Sequence, residues 1–328
     1  MGAAKRAFVT GGSGFIGHAL VRRLVQSGAG VRALARSEAS ARTLSEAGAE
    51  PVHGDLSDPA AMRAAAAGCE LAFHAAARLG GWGPWEEFEQ VNVRGTRAAL
   101  EACRAAGVRR FVHVGTEAAV IAGDPLRGAD ESAPLRPDSK AYYCASKAMA
   151  EQEVRSAARD GFETVVVRPR FVWGPGDTTL LPGLVQAVES GRFAWIGGGR
   201  QRTSTTHVDN VVEGLLVAAE RGRPGEAYFV TDGEPVVFRD FVSRLLRTQG
   251  VEPPSRGLPL PLARAAAAVG ETLWRRLRLG GEPPVTRTTV WLSALEVTID
   301  ISRARHELGY EPRTSIDEGL KGLAAAAA

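Results

Sequence analysis

Short apolar runs alternate with stretches whose apolar positions recur at helical spacing, and this alternation organises the first half of the chain. Ala7-Phe8-Val9 opens it as a strand. Ala19 to Gln26 follows with helical spacing and stops at Ser27-Gly28. The same reading gives strands at Val31–Ala35, Val52–Leu56, Leu71–Ala75, Arg110–Val114 and Thr164–Arg168. It gives helices at Pro59–Ala67, Asn92–Ala106 and Ala141–Arg159. Buried strands separated by amphipathic helices predict a parallel sheet covered on both faces.

The expected architecture is therefore α/β, a doubly wound, Rossmann-type parallel sheet with a smaller, discontinuous substrate lobe. Past Pro169 the pattern loosens. Gly- and Pro-rich segments (Trp173–Asp177, Gly197–Gly199, Pro253–Pro261) interrupt helices such as Leu180–Ser190. A helix at His207–Glu220 and a strand at Ala227–Thr231 return to the main sheet. We expect residues 1–170 with 207–231 to form the dinucleotide-binding unit, and 171–206 with 232–328 the substrate lobe.

A length of 328 residues allows this core, and a net charge of +3 gives no reason to expect nucleic acid as a partner. Cys69, Cys103 and Cys144 show neither paired nor metal-ligand spacing and fit a reducing compartment. The first strand starts too early to leave room for a signal peptide, and no run is apolar enough to span a bilayer. The expectation is a cytoplasmic protein with no metal site.

The chemistry starts where the first strand ends. Gly11, Gly14 and Gly17, with Gly12 and Ser13 between them, form a loop running into a helix near Phe15 and Ile16. Such a loop lets a phosphate approach the backbone and meet the helix's first amides. The second strand ends Ala35-Arg36-Ser37. A carboxylate there would favour NAD; an arginine favours NADP(H) as cofactor, with NAD(H) still admitted. Asp55-Leu56 is placed to meet an adenine. Tyr143 and Lys147 stand four residues apart on one helix face, where the ammonium would lower the phenol's pKa and suit it to exchange a proton with a carbonyl oxygen. Only Lys5, Lys140, Lys147 and Lys321 are lysines, so chance supplies roughly 0.05 such pairs. Thr116, at the end of the fifth strand, is placed to hold the substrate oxygen.

Thr10-Gly11-Gly12-Ser13-Gly14-Phe15-Ile16-Gly17, Asp55-Leu56, His74-Ala75-Ala76, Asn92 to Thr96, Thr116, Tyr143 to Lys147 and Arg168-Pro169 together resemble the extended short-chain dehydrogenase/reductase superfamily. The resemblance spans essentially the whole chain. It implies an NAD(P)-dependent oxidoreductase with Tyr143 as general acid/base and Lys147 tuning it and binding the nicotinamide ribose. Thr116 takes the usual serine's place. It also implies cofactor contacts at Thr10, His74, Ala75, Ala76 and Pro169, a shaping role for Asn92 through the backbone, and a homodimer built on the helices beginning near Asn92 and Ala141.

Within that superfamily, nucleotide-sugar epimerases and dehydratases carry an Arg-Asp pair where this chain has Thr203-Ser204, and an asparagine where it has Arg170. Gly80 to Trp85, Trp173 to Asp177 and Gly233-Glu234-Pro235 instead resemble the 3β-hydroxysteroid dehydrogenase and sterol C4-decarboxylating dehydrogenase branch. Glu271 to Trp274 and Gly281 to Arg287 resemble most the bacterial NADPH-dependent 2-alkyl-3-oxoalkanoate reductases of olefin biosynthesis. This implies reduction of a hydrophobic β-keto acid, or oxidoreduction of a sterol-type substrate. The alternatives are a nucleotide-sugar epimerase or dehydratase and a non-catalytic NADP-binding sensor. Leu258–Leu279 reads as an amphipathic packing helix, a pocket wall, or a contact for a membrane or an acyl-pathway partner. Its arginines, or Arg170, are candidates for a substrate carboxylate. Glu117 is expected either to orient a cation or to face solvent.

Overall fold

The computed structural model describes residues 6–327. Seven parallel strands form the main sheet: β1 (Arg6–Thr10), β2 (Gly30–Ala35), β3 (Glu50–His53), β4 (Leu71–His74), β5 (Arg110–Val114), β6 (Glu163–Pro169) and β7 (Glu226–Val230), in the order β7-β6-β5-β4-β1-β2-β3. Alternate side chains leave opposite faces of each strand, so the core divides in two. Val9, Val112 and Val167 face Leu20, Leu24 and Leu215 from helices Phe15–Gln26 and Val208–Arg221. Phe8, Phe111 and Val166 face Met62, Cys103 and Val154 from helices Pro59–Ala66, Gly95–Ala105 and Tyr142–Ser156. The strand order reverses beside β1, and the ends of β1 and β4 open a crevice there.

The loosened second half does build a lobe, but its boundary is threaded through the sequence. Its four-stranded sheet pairs Val236–Val237, Arg202–Thr203 and Val297–Ile299 with Leu126–Ala129, a segment that precedes residue 170. Conversely, Ala304, Leu308 and Tyr310 pack into the core of the main sheet, and the Tyr310 hydroxyl donates to the Thr231 carbonyl at 2.9 Å. Trp173, Trp195, Phe238, Phe241 and Leu245 form the lobe's own apolar cluster.

Two local features differ from the helical spacing of the sequence. The helix expected from Asn92 begins as a π-helical segment, Glu89–Arg94, and becomes α-helical at Gly95. A helix at Glu38–Glu46, too polar to be foreseen, follows β2 and is capped by reciprocal bonds between Ser37 and Ser40.

Helix Tyr142–Ser156 is fastened to β6 by a fully buried ion pair. Arg168 Nε lies 3.1 and 2.9 Å from the two Glu151 oxygens, and Nη2 lies 2.5 Å from Oε1. Removing one partner strands the other charge out of water, which costs about 3–5 kcal/mol. Glu151→Ala is therefore expected to lower unfolding free energy by that order in urea titrations, whereas Glu153→Ala, its side chain 32% exposed on the same helix, should change it by under about 1 kcal/mol.

Candidate active site

The glycine loop has the shape an anion needs. Gly11 has φ +68°, and a Cβ on it would stand 2.5 Å from the Ala76 nitrogen. A Cβ on Gly17 would stand 2.0 Å from the Gly11 carbonyl oxygen. Both glycines permit backbone-to-backbone approach. Ser13 and Gly14 remain exposed at the tip. The helix that begins at Phe15 has neither a side-chain cap nor an acid in its first turn, so its opening amides are left for a pyrophosphate. Arg36 follows β2 into solvent, close enough to Asp55 to help hold that carboxyl below its ordinary range, although the Ser57 hydroxyl and amide do most of this. Asp55 Oδ1 accepts from Ser57 N at 2.7 Å and from Ser57 Oγ at 2.6 Å, and Leu56 lies against Gly95.

Thr10 and His74 sit beneath this crevice rather than in it. Register pairs them across β1 and β4, and the bonds run as a chain. Thr96 Oγ1 donates to the Asn92 carbonyl at 2.6 Å, so it accepts from His74 Nε2 at 3.0 Å, and His74 Nδ1 accepts from Thr10 Oγ1 at 2.6 Å. Burial holds His74 neutral, its pKa lowered to about 3. Their side chains are thus spent on the protein, and what faces the loop is the Ala75-Ala76 backbone. Asn92 shapes the site through more than its backbone. Its amide accepts from Arg78 N at 2.7 Å and donates to Ser146 Oγ at 2.9 Å, tying the π-helical turn to the helix of Tyr143.

Thr116, Tyr143 and Lys147 converge at the end of β5. Tyr143 is partly buried with its hydroxyl near Thr116, whose hydrogen bonding works to lower the phenol's pKa. Lys147 Nζ, 3% exposed, donates to the Val114 carbonyl at 2.8 Å and to His113 Nε2 at 3.3 Å. Three ammonium protons less two leaves one for a ribose hydroxyl. Pro169 is buried at the end of β6, the strand paired with β5. The phenol differs from expectation. Burial, reinforced by the Glu117 carboxylate, pushes Tyr143 well above the ordinary phenol range, and Lys147 does not offset this. Burial also brings Lys147 down to about 8, against the upward pull of Glu151.

Glu117 and Arg170 form a second buried ion pair that the sequence did not reveal. Arg170 Nη1 donates to Glu117 Oε1 at 2.6 Å; its remaining nitrogens reach Thr203 Oγ1 at 3.0 and 2.9 Å and the Leu292 carbonyl at 3.1 Å. Glu117 Oε2 accepts from Thr116 Oγ1 at 2.6 Å. Arg170, 1% exposed, therefore has no face left for a substrate carboxylate, and Glu117 orients a cation rather than facing solvent. The next residue, Phe171, takes φ +44°, a costly conformation for a bulky side chain, and packs edge-on to Phe238 and Phe241. Thr203 and Ser204 are buried as well, with Ser204 Oγ accepting from Ile299 N.

The Gly80–Trp85 loop crosses to the lobe beside Tyr142. Trp82 Nε1 donates to the Gly281 carbonyl at 3.1 Å, and the Arg275 guanidinium lies 4.0 Å over the Tyr142 ring and 5.1 Å over Trp82.

A seven-stranded Rossmann sheet, an open glycine-loop helix end and a Thr-Tyr-Lys set at the fifth strand define an NAD(P)-dependent oxidoreductase of the extended short-chain dehydrogenase/reductase class. Within that class, residues 8–262 match the model of the 3-beta hydroxysteroid dehydrogenase/isomerase family, and the chain belongs to it. It is 48% identical over 318 residues to the 4-hydroxy-2-methyl-3-oxo-4-farnesyl-3,4-dihydroquinoline-1-oxide ketoreductase of Stigmatella aurantiaca, covering 97% of this chain and 95% of that one. It is 39% identical to the 2-alkyl-3-oxoalkanoate reductase of Stenotrophomonas maltophilia, covering 98% and 99%. Among solved structures, the dTDP-glucose 4,6-dehydratase DesIV of Streptomyces venezuelae, solved with NAD, superposes with a TM-score of 0.77 at 25% identity, covering 98% and 96%.

Because Lys147 loses its charge as pH rises through about 8, kcat/KM for the nicotinamide cofactor is expected to fall across that pH in a pH–rate profile. The sign for stability is opposite. Between about pH 8 and its ordinary 10.5 the unfolded chain binds more protons here, so the cost of burying this ammonium diminishes over that interval.

Proposed function

We propose that the protein reduces a ketone on a hydrophobic substrate to a secondary alcohol, using NADPH, with Tyr143 as the proton donor. The observation that carries this is the convergence of Thr116, Tyr143 and Lys147 at the carboxyl end of β5, beside the uncapped helix end of the glycine loop. A bound nicotinamide supplies the hydride. The chain's residues do the rest: the glycine loop and the helix beginning at Phe15 anchor the pyrophosphate, Lys147 holds the ribose, and Arg36 meets a 2′-phosphate bidentately. Asp55 and Leu56 meet the adenine, and Pro169 backs the nicotinamide. Thr116 steadies the substrate oxygen once its hydroxyl turns from Glu117.

Both reductase relatives carry, in their names, a 3-oxo group next to an alkyl-bearing carbon. We take that as the substrate class: a 2-alkyl-3-oxo compound with a long hydrocarbon part, either a β-keto acid or a ring ketone. With Arg170 committed to Glu117, we take Arg275, whose guanidinium lies over the Tyr142 ring, as the partner of an acid substrate's carboxylate. A sugar nucleotide fits less well. The positions that would meet its diphosphate are the enclosed Thr203, Ser204 and Arg170.

NADPH oxidation against a panel of 2-alkyl-3-oxo acids, prenylated ring ketones, 3-ketosteroids and UDP-sugars tests the reading. Turnover is expected on the first two, and cofactor recycling on a sugar nucleotide without net NADPH loss would overturn it. Tyr143→Phe is expected to lower kcat by about a thousandfold or more while NADPH binding, followed by nicotinamide fluorescence, stays within about twofold. Arg36→Ala should weaken NADPH by about tenfold and leave NADH nearly unchanged. Equal loss for both cofactors would remove the assigned NADP preference.

A further inference from the structure

Seven large apolar side chains stand exposed among the described residues, and five of them, Leu262, Val269, Leu273, Leu277 and Leu279, lie on or just past one lobe helix, Leu260–Leu277. At about 100° per residue, Leu262, Val269, Leu273 and Leu277 fall within an arc of about 80°, and the buried Ala263, Ala267 and Glu271 fall in a separate arc centred about 120° away. The helix is thus apolar on the side it turns to water. It is not short of a packing partner, because its inner face already rests on the protein and Glu271 is paired with Arg287 there. Val269, Leu273 and Leu277, with Arg276 and Arg287, line an open groove of about 430 Å³.

Charge decides what covers this face. Across residues 260–287 the acids are Glu271, which is buried and paired, and Glu282; Arg264, Arg276 and Arg278 are exposed. A second copy of the chain would bring arginines with almost no carboxylate to meet them. An anionic surface matches both the arginines and the leucines.

We propose that helix Leu260–Leu277 and its continuation to Leu279 dock this protein on an anionic phospholipid surface, with the leucine stripe in the acyl boundary and Arg276 and Arg278 among the headgroups. No described helix is long and apolar enough to cross a membrane, so the contact is peripheral. Exposed Leu79, next to the Gly80–Trp85 loop, extends the apolar surface toward the segment where Arg275 stacks on Trp82 and Tyr142. If the reductase reading holds, a lipid-dissolved ketone then reaches Tyr143 from the docked side. The docking itself does not depend on that reading.

The test is co-sedimentation of the full chain with vesicles of phosphatidylglycerol and phosphatidylcholine in equal parts, set against phosphatidylcholine alone. Binding is expected on the anionic vesicles, falling about tenfold or more in Leu273→Ser/Leu277→Ser, in Arg276→Gln/Arg278→Gln and at high salt. All these positions are exposed, so thermal melting should be unaltered in the variants and confirms that loss of binding is not loss of fold. The proposal is overturned if the wild-type chain does not bind anionic vesicles, binds phosphatidylcholine equally, or binds undiminished in the leucine variant. It is also overturned if gel filtration shows the wild type dimeric and the leucine variant monomeric without vesicle binding, which would make the face a contact between copies. A reductase assay enters none of these outcomes.

Discussion

Two guanidinium groups leave water together at the end of β6, and the site depends on what neutralises them. Arg168 turns to Glu151 and fixes the helix that carries Tyr143 and Lys147. Arg170, two residues on, turns to Glu117 and fixes the strand end that carries Thr116. Neither pair is a strong source of stability, since desolvation consumes much of the attraction. Their value is geometric. A buried charge with one available partner admits one arrangement, so a helix, a strand end and the lobe contacts at Thr203 and Leu292 are brought to a common origin.

The strain at Phe171 belongs to the same arrangement. Once Arg170 is enclosed, with its backbone nitrogen bonded to Thr206 Oγ1 and its side chain to Glu117, the chain must turn at once to enter the lobe. A bulky residue at φ +44° is the result, and the cluster of Phe238 and Phe241 around it offsets the cost. The end of β6 is therefore one of the points that couple the helix of Tyr143 to the lobe, beside the core shared by Val290, Leu295, Ala304 and Leu308 with the main sheet.

The parallel sheet was legible because each strand is a short apolar run and each covering helix repeats at its own spacing; Arg110–Val114 matches residue for residue. The threading of the lobe was not legible. Leu126–Ala129 pairs with Val297–Ile299 across about 170 residues, and four residues reading Leu-Arg-Gly-Ala carry no apolar signal of their own. The π-helical turn at Asn92 likewise depends on a tertiary bond to Ser146 rather than on local spacing. At the site, spacing put Tyr143 and Lys147 together but could not weigh burial against charge. Arg170 read as a candidate for a substrate carboxylate and Glu117 as facing a cation or solvent, and their pairing with each other was not legible because it spans 53 positions. The one available signal was their position: each directly follows a residue at a strand's carboxyl end that the resemblance marks as functional, Thr116 and Pro169.

The Glu117–Arg170 pair also bears on how the proton is handled. Glu117 takes the Thr116 hydroxyl proton at 2.6 Å, and the Ala118 amide donates to the same oxygen at 3.2 Å. The hydrogen bonding of Thr116 toward Tyr143 favours the phenolate, but burial of the ring outweighs it and favours the phenol. The Glu117 carboxylate works in the same direction through space. Burial, with the Glu117 carboxylate that Arg170 holds in place beside it, keeps the proton on Tyr143 in the resting arrangement.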